Sequence, residues 1–279
     1  MIIAKSLTEF QEAYKTLEYP KEIGLIPTMG ALHEGHLSLI KKASTICKHT
    51  VVSVFVNPTQ FNNSIDFDTY PRTVDNDCKF LEDAGVDIVF VPRVIDIYPQ
   101  KDKRIFDLGQ LDKYGEGPRR PGHFNGVAQV VTRLFDIVKP SKAFFGEKDF
   151  QQLAILQYVT KNLHYSLEIV RCPIARWKDG LAKSSRNKLL TPKQRKNAPH
   201  LFKCISKAKE LYGKKSVGET IKTITDDINS NNLFETEYVE IINANTMAPI
   251  TSWNEAEHIQ LSCAVYMRPV RLIDNLKIK

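Results

Sequence analysis

The chain has 279 residues, 42% hydrophobic and 25% charged, with a net charge of +7, a composition that excludes fibrous and disordered classes. Its five cysteines, Cys47, Cys78, Cys172, Cys204 and Cys263, are widely spaced with no C-x-x-C pair, which excludes a disulfide framework and a cysteine zinc site and predicts small reduced core residues. No apolar run approaches the ~20 residues of a membrane span and no signal-peptide core opens the chain, so the expectation is a cytoplasmic protein with no membrane partner.

In chain order, Ser6-x-x-Glu9 predicts a capped first helix. Short apolar, β-branched runs at 23–26, 51–56, 87–91, 143–145 and 167–170 read as buried strands. Between them, Leu37-Leu39-Ile40-Ala43, Cys78-Leu81 with Phe80, and Val127-Val130-Val131-Leu134-Val138 recur at helical spacing as crossover helices. The pattern predicts an α/β, doubly wound (Rossmann-like) parallel sheet. Segment 98–125 breaks the rhythm with Gly109, Gly115, Gly117, Pro118, Pro121 and Gly122, and reads as a mobile loop. Thr191-Pro192 starts a new helix, two Lys-rich helical stretches run to about 229, and alternation at 238–242 and 259–265 predicts a small antiparallel sheet. The expected organisation is a first domain over 1–176 and a smaller α+β lid domain over 177–279.

Four segments carry candidate chemistry. Pro27-Thr28-Met29-Gly30-Ala31-Leu32-His33-Glu34-Gly35-His36 lies where a strand ends and a helix begins, where open α/β sheets bind ligands. Gly30 and Gly35 admit a bulky anion, and His33 and His36 share one side of the turn, able to donate to phosphate oxygens or merely to cap and pack it. Gly146-Glu147-Lys148-Asp149-Phe150-Gln151-Gln152 repeats the location three crossovers later, with Lys148 suited to phosphate and Asp149 to a ribose diol, or else forming a solvated turn. Lys183-Ser184-Ser185-Arg186-Asn187 has the composition of a triphosphate loop and of an ordinary linker. Asn57 and Gln60 offer neutral hydrogen bonds at another strand mouth, followed by Tyr70-Pro71-Arg72.

Taken together, P-T-M-G-x-L-H-x-G-H, F-V-N-P-x-Q-F, F-G-E-K-D-x-Q-Q and D-G-L-A-x-S-S-R-N, in that order and joined by Arg120-Pro121-Gly122-His123-Phe124, make the chain resemble the pantothenate synthetase family along essentially its whole length. The resemblance implies an ATP-dependent condensation of D-pantoate with β-alanine through pantoyl adenylate, with Mg²⁺ accompanying ATP, no tightly bound organic cofactor, and a homodimer. It implies an ATP site of Met29, Gly30, Ala31, Leu32, His33, Glu34, Gly35, His36, Gly146, Glu147, Lys148, Asp149, the backbone of Ala175, and Lys183, Ser184, Ser185 and Arg186. His36, His33, Lys148 and Arg186 are the implied catalytic groups. Gln60 and Gln152 would hold pantoate, while Gln60, Asn57, Tyr70, Glu116 and Arg120 would surround β-alanine, with Asp77 a metal contact. Lys183 departs from the apolar residue usual before Ser-Ser-Arg, and adds phosphate affinity on this reading. The competing readings are another adenylyltransferase of the same superfamily, against which Gln60 and Gln152 argue, and an RNA-binding protein, for which no aromatic-rich basic stripe exists.

Overall fold

The computed structural model describes residues 1–61 and 67–279. Along the chain run β1 (Ile2–Ala4), α1 (Leu7–Lys15), β2 (Ile23–Thr28), α2 (Glu34–Ser44), β3 (His49–Val54), α3 (Val74–Asp83), β4 (Ile88–Phe90), α4 (Val94–Ile97), α5 (Glu116–Arg119), α6 (His123–Val138), β5 (Lys142–Gly146), α7 (Phe150–Asn162) and β6 (Glu168–Cys172). There follow α8 (Pro192–Asn197), α9 (His200–Leu211), α10 (Val217–Asn229), β7 (Glu235–Asn243), β8 (Ile259–Met267) and β9 (Val270–Lys277). They form two compact units that no single cut separates: residues 1–108, 120–147 and 152–173 make one, and 109–119, 148–151 and 174–279 the other.

The first unit is built on a parallel sheet in the order β1-β4-β3-β2-β5-β6. Its central strands are mostly apolar because both faces are covered. Ile23, Leu25, Val51, Ile88, Phe90, Ala143 and Phe145 pack on one side with Phe10 of α1 and the apolar stripe of α6. Ile26, Val52, Val54, Val89 and Phe144 alternate to the other side, against Leu39, Ile40 and Ala43 of α2 and Leu81 of α3. Phe10 is 1% exposed and its ring centroid lies 4.7 Å from that of Phe90, a burial worth about 2–3 kcal/mol in docking α1. The chain order reverses between β2 and β5, so their carboxyl ends flank the switch point at which such sheets bind ligands.

The second unit packs α8, α9 and α10 against the antiparallel sheet β7-β8-β9, with Leu201, Ile205, Ile224 and Ile228 meeting Ile241, Leu261 and Val265. Thr191 caps α8 reciprocally with Gln194, and Pro192 sits in its first turn, as the cap-then-proline pattern predicts.

Three expectations need correction. The short edge strand β1 and the strand β9 extend the sheets beyond the runs read from sequence. At the first helix, Glu9 accepts from the backbone of Lys5 rather than of Ser6, although Ser6 does receive the Glu9 N–H. The segment read as a mobile loop is instead tied down over residues 109–119. Gln151 donates to the carbonyls of Leu111 and Tyr114 at 2.6 and 2.8 Å and accepts the Glu116 N–H at 2.9 Å.

Candidate functional site

In the first unit the turn from β2 into α2 shows how its residues are held. Gly30 and Ala31 both lie at positive φ, +83° and +50°, a region that suits glycine and strains alanine. The opposing force comes from α3. Asp77, 3% exposed, accepts the Ala31 N–H on Oδ2 at 3.0 Å and the Leu32 N–H on Oδ1 at 2.7 Å, and the Thr73 hydroxyl adds a third bond at 3.1 Å. A Cβ on residue 30 would sit 3.0 Å from the same Oδ2, so glycine is needed for the carboxylate to come this close. Both oxygens of Asp77, read from the sequence as a metal contact, thus bond the main chain of the turn, which it braces.

The two histidines cap α2 reciprocally. His33 is the N-cap in extended conformation, and its Nδ1 accepts the Gly35 N–H at 3.0 Å. The His36 Nδ1 accepts the His33 N–H at 3.2 Å, and the ring centroids are 4.1 Å apart. An Nδ1 that accepts carries no proton, so the hydrogen of each neutral ring sits on Nε2, the edge with which the ring can donate to a ligand. The helix dipole adds partial positive charge at the same end. The capping bonds use the Nδ1 edge of both rings.

Gln60 lies in the 3-10 turn Pro58–Gln60. It is 8% exposed and its amide donates to the Met29 sulfur at 2.9 Å, bringing the fourth motif onto the first. Asn57 holds it there, donating to Gln60 Oε1 and to the Gly126 carbonyl, both at 3.1 Å. The Asn57 oxygen accepts from the Tyr98 hydroxyl at 2.9 Å and from Thr59, so this 1% exposed amide is fully engaged. Asn57 therefore orients Gln60. His123 completes the support: its Nδ1 lies 2.8 Å from the Gln60 carbonyl and must donate to it. Tyr70 is half-buried and stacks edge-on with Phe61, their centroids 5.8 Å apart. Gly146 ends β5, Gln152 is half-buried in the first turn of α7, and Arg120 lies three residues before the start of α6. Glu147 is bonded by Arg171 at 3.0 Å.

In the second unit the Lys148 ammonium, its side chain 18% exposed, lies 3.7 Å from the Asp149 carboxylate in the 3-10 turn Glu147–Asp149. Ser184 caps the 3-10 turn Ser185–Leu189, accepting from the Arg186 N–H while Asn187 bonds back to Ser184. Ala175 receives the Lys183 N–H on its carbonyl at 2.9 Å, and the Lys183 ammonium lies 4.6 Å from the Trp177 ring centroid. Arg186 is exposed. Glu116 lies in the short helix α5. It is 9% exposed, bound in bidentate fashion by Arg271 at 2.8 and 2.9 Å, and accepts the Tyr238 hydroxyl at 2.7 Å. Burial first, then the Glu116 charge, pushes the Tyr238 hydroxyl well above its ordinary range and keeps it a donor. Glu116, read from the sequence as a β-alanine contact, anchors α5 to the antiparallel sheet.

Sequence reasoning missed His123, Tyr98, Gly126 and the bracing role of Asp77, because each acts on a backbone group distant in the chain. Only the Arg-Pro-Gly-His-Phe string pointed toward one of them. Among the described residues no group of three or more His, Cys, Asp or Glu side chains is placed to hold a metal ion, and no helix is long and apolar enough to cross a membrane.

The family model described as Pantoate-beta-alanine ligase matches residues 2–277. A pantothenate synthetase of Bacteroides thetaiotaomicron is 48% identical over 259 residues, 93% of this chain and 92% of that protein. One from Fervidobacterium nodosum is 44% identical over 281 residues, covering 100% and 99%. Among solved structures, pantothenate synthetase from Thermus thermophilus is similar with a TM-score of 0.92 at 38% identity, covering 100% of this chain and 99% of that one. The pantoate-beta-alanine ligase of Francisella tularensis, solved complexed with beta-gamma ATP and beta-alanine, gives 0.84 at 36% identity, covering 100% and 98%.

Proposed function

This chain belongs to the pantoate-beta-alanine ligase family, and from that premise we propose that it condenses D-pantoate with β-alanine to pantothenate, a step of coenzyme A biosynthesis, with cleavage of ATP to AMP and diphosphate. The pantoate carboxylate attacks the α-phosphorus and diphosphate leaves. The amine of β-alanine then attacks the acyl carbon of the pantoyl adenylate, forming the amide as AMP departs. A carboxylate is a poor electrophile, and the mixed anhydride gives it a good leaving group without a covalent enzyme intermediate.

Catalysis on this reading is positioning and charge stabilisation. The Nε2–H groups of His33 and His36 donate to phosphate oxygens, with the turn from Met29 to Leu32, Glu34 and Gly35 shaping the nucleotide's seat. Lys148 and Arg186 balance the charge that develops on the departing diphosphate, helped by Lys183, Ser184 and Ser185. Asp149 takes the ribose diol beside Gly146 and Glu147, and the Ala175 backbone meets adenine. Gln60 and Gln152 hold the pantoate carboxylate and hydroxyls with neutral amides, which leave the carboxylate nucleophilic where a close cation would dull it. Tyr70 and Arg120 act near β-alanine. Mg²⁺ enters with ATP as part of the substrate, with Asp77 as the candidate protein contact.

The observation that carries this reading is the bond from the Gln60 amide to the Met29 sulfur, which supports an acid-binding glutamine beside the histidine turn. A homodimer in the cytoplasm belongs to the same proposal. Edge strand β1 leaves Ile2 and Ile3 about 40% exposed, an apolar edge that a second copy would cover. The deciding experiment is isotope exchange of diphosphate into ATP with D-pantoate present and β-alanine absent, followed by β-alanine-dependent release of AMP. Folded protein that shows no pantoate-dependent exchange would sink the proposal.

A further inference from the structure

Strand β9 carries two adjacent polar residues, Asp274 and Asn275, each 4% exposed. Neighbours in a strand face opposite sides, so both faces are covered here, and both side chains must find partners within the protein. Those partners lie on segments to which the proposed function assigns the nucleotide.

Asn275 donates from Nδ2 to the Lys148 carbonyl at 2.9 Å, while its Oδ1 accepts from Gln260 Nε2 at 2.7 Å. The Lys148 carbonyl, which can only accept, fixes which way the Asn275 amide points. Asp274 takes both terminal nitrogens of Arg176, at 2.7 and 2.8 Å, and its Oδ1 also receives the Asn275 N–H at 2.8 Å. The Arg176 guanidinium further bonds the Gly180 and Asn275 carbonyls at 3.1 and 3.3 Å, and stacks 3.7 Å from the Phe202 ring centroid. Arg176 follows Ala175 and pairs with Ala182 in an isolated bridge, which carries the main chain of 175 along with it. One dipeptide near the C-terminus thus grips the backbone at Lys148 and at residues 175–176.

We propose that Asp274 and Asn275 are positioning residues for ATP: through the Lys148 carbonyl and the Arg176 guanidinium they fix how far the phosphate-binding lysine stands from the backbone that meets adenine. A bidentate guanidinium pair with a buried carboxylate tolerates little displacement, so the spacing between the two nucleotide contacts is set by adjacent residues of one strand. The inference rests on the nucleotide assignment above, and its substrate-side corollary is that pantoate and β-alanine do not sense this dipeptide.

The test measures ATP binding by calorimetry and steady-state constants for all three substrates, in the full chain and in Asn275→Ala and Asn275→Asp. Either change removes the donor to the Lys148 carbonyl, and the second preserves size and the acceptor for Gln260. The expected result is a rise of about tenfold in the Kd and KM for ATP, the equivalent of one hydrogen bond of about 1.4 kcal/mol, with the KM values for pantoate and β-alanine changed by less than about twofold. A role confined to stability would lower Tm and the active fraction while leaving the ATP constants alone. That outcome, or an equal rise for pantoate, overturns the inference, and should Asn275→Ala not fold, Asn275→Asp distinguishes the same outcomes. Wild-type protein that binds ATP yet catalyses no pantoate-dependent exchange would remove the proposed reaction, and the ATP Kd of the variants would still decide this point.

Discussion

Replacing Asp77 by asparagine changes one oxygen into an NH₂ group at a place where two main-chain N–H groups converge, from Ala31 at 3.0 Å and Leu32 at 2.7 Å. Asparagine can accept only one of them, and the other then faces a donor. A hydrogen bond to a charged acceptor is worth about 1.5–3 kcal/mol, and a buried N–H left unmatched costs about 1–3 kcal/mol. The expected loss is therefore about 3 kcal/mol, which lowers Tm by about 6–12 °C for a chain of this size. Because the turn it braces ends at His33, KM for ATP should rise with it. Thermal unfolding followed by circular dichroism, together with ATP titrations, reads both quantities. An unchanged Tm combined with a shifted Mg²⁺ requirement would refute the bracing role and return Asp77 to metal binding.

His33→Asn keeps an acceptor for the Gly35 N–H and removes the ring Nε2, so stability should stay within about 1 kcal/mol of wild type while kcat falls by about 10²–10³. An equal fall in His33→Asn and in a variant that loses only the cap would contradict the split of duties between ring edges. Glu116→Gln should cost about 2 kcal/mol, less than a fully broken buried pair, because Arg271 keeps Glu237 at 2.6 Å. The KM for β-alanine should not move, and a selective rise in it would restore Glu116 as a substrate contact. Lys183→Leu should raise the ATP KM a few-fold and alter the fluorescence of Trp177, over whose ring the ammonium lies. An unchanged ATP KM would count against a phosphate role for this lysine.

The central strands were legible because each is a continuous apolar run with no polar face, as strands covered on both sides must be. Strand β1 was not, since three residues are too few to show a period. Strand β9 hid for a different reason: Asp274 and Asn275 are consecutive buried polar residues, so its sequence alternates like neither a strand nor a helix. In the candidate site the strand-end position of the histidine turn could be read directly. The duties of Asp77, Asn57 and Glu116 could not, because their partners are Ala31, Gly126 and Arg271, far away in the chain. A polar residue near a motif looks the same in sequence whether it faces a ligand or props up the residue that does. The amide of Asn57 and the carboxylate of Asp77 both bond groups distant in the chain.

Helix α6 meets the turn carrying Gln60 at a residue that has no side chain. A Cβ on Gly126 would lie 2.3 Å from the Thr59 carbonyl oxygen and 2.8 Å from the Gln60 Cα. Relieving that overlap would move helix or turn by roughly an ångström, a displacement that can cost about a hundredfold in rate when it reaches a substrate-holding group. The position of Gln60 is therefore gauged by an absence: a single methyl group on the helix would shift the glutamine that the proposed reaction assigns to the acid.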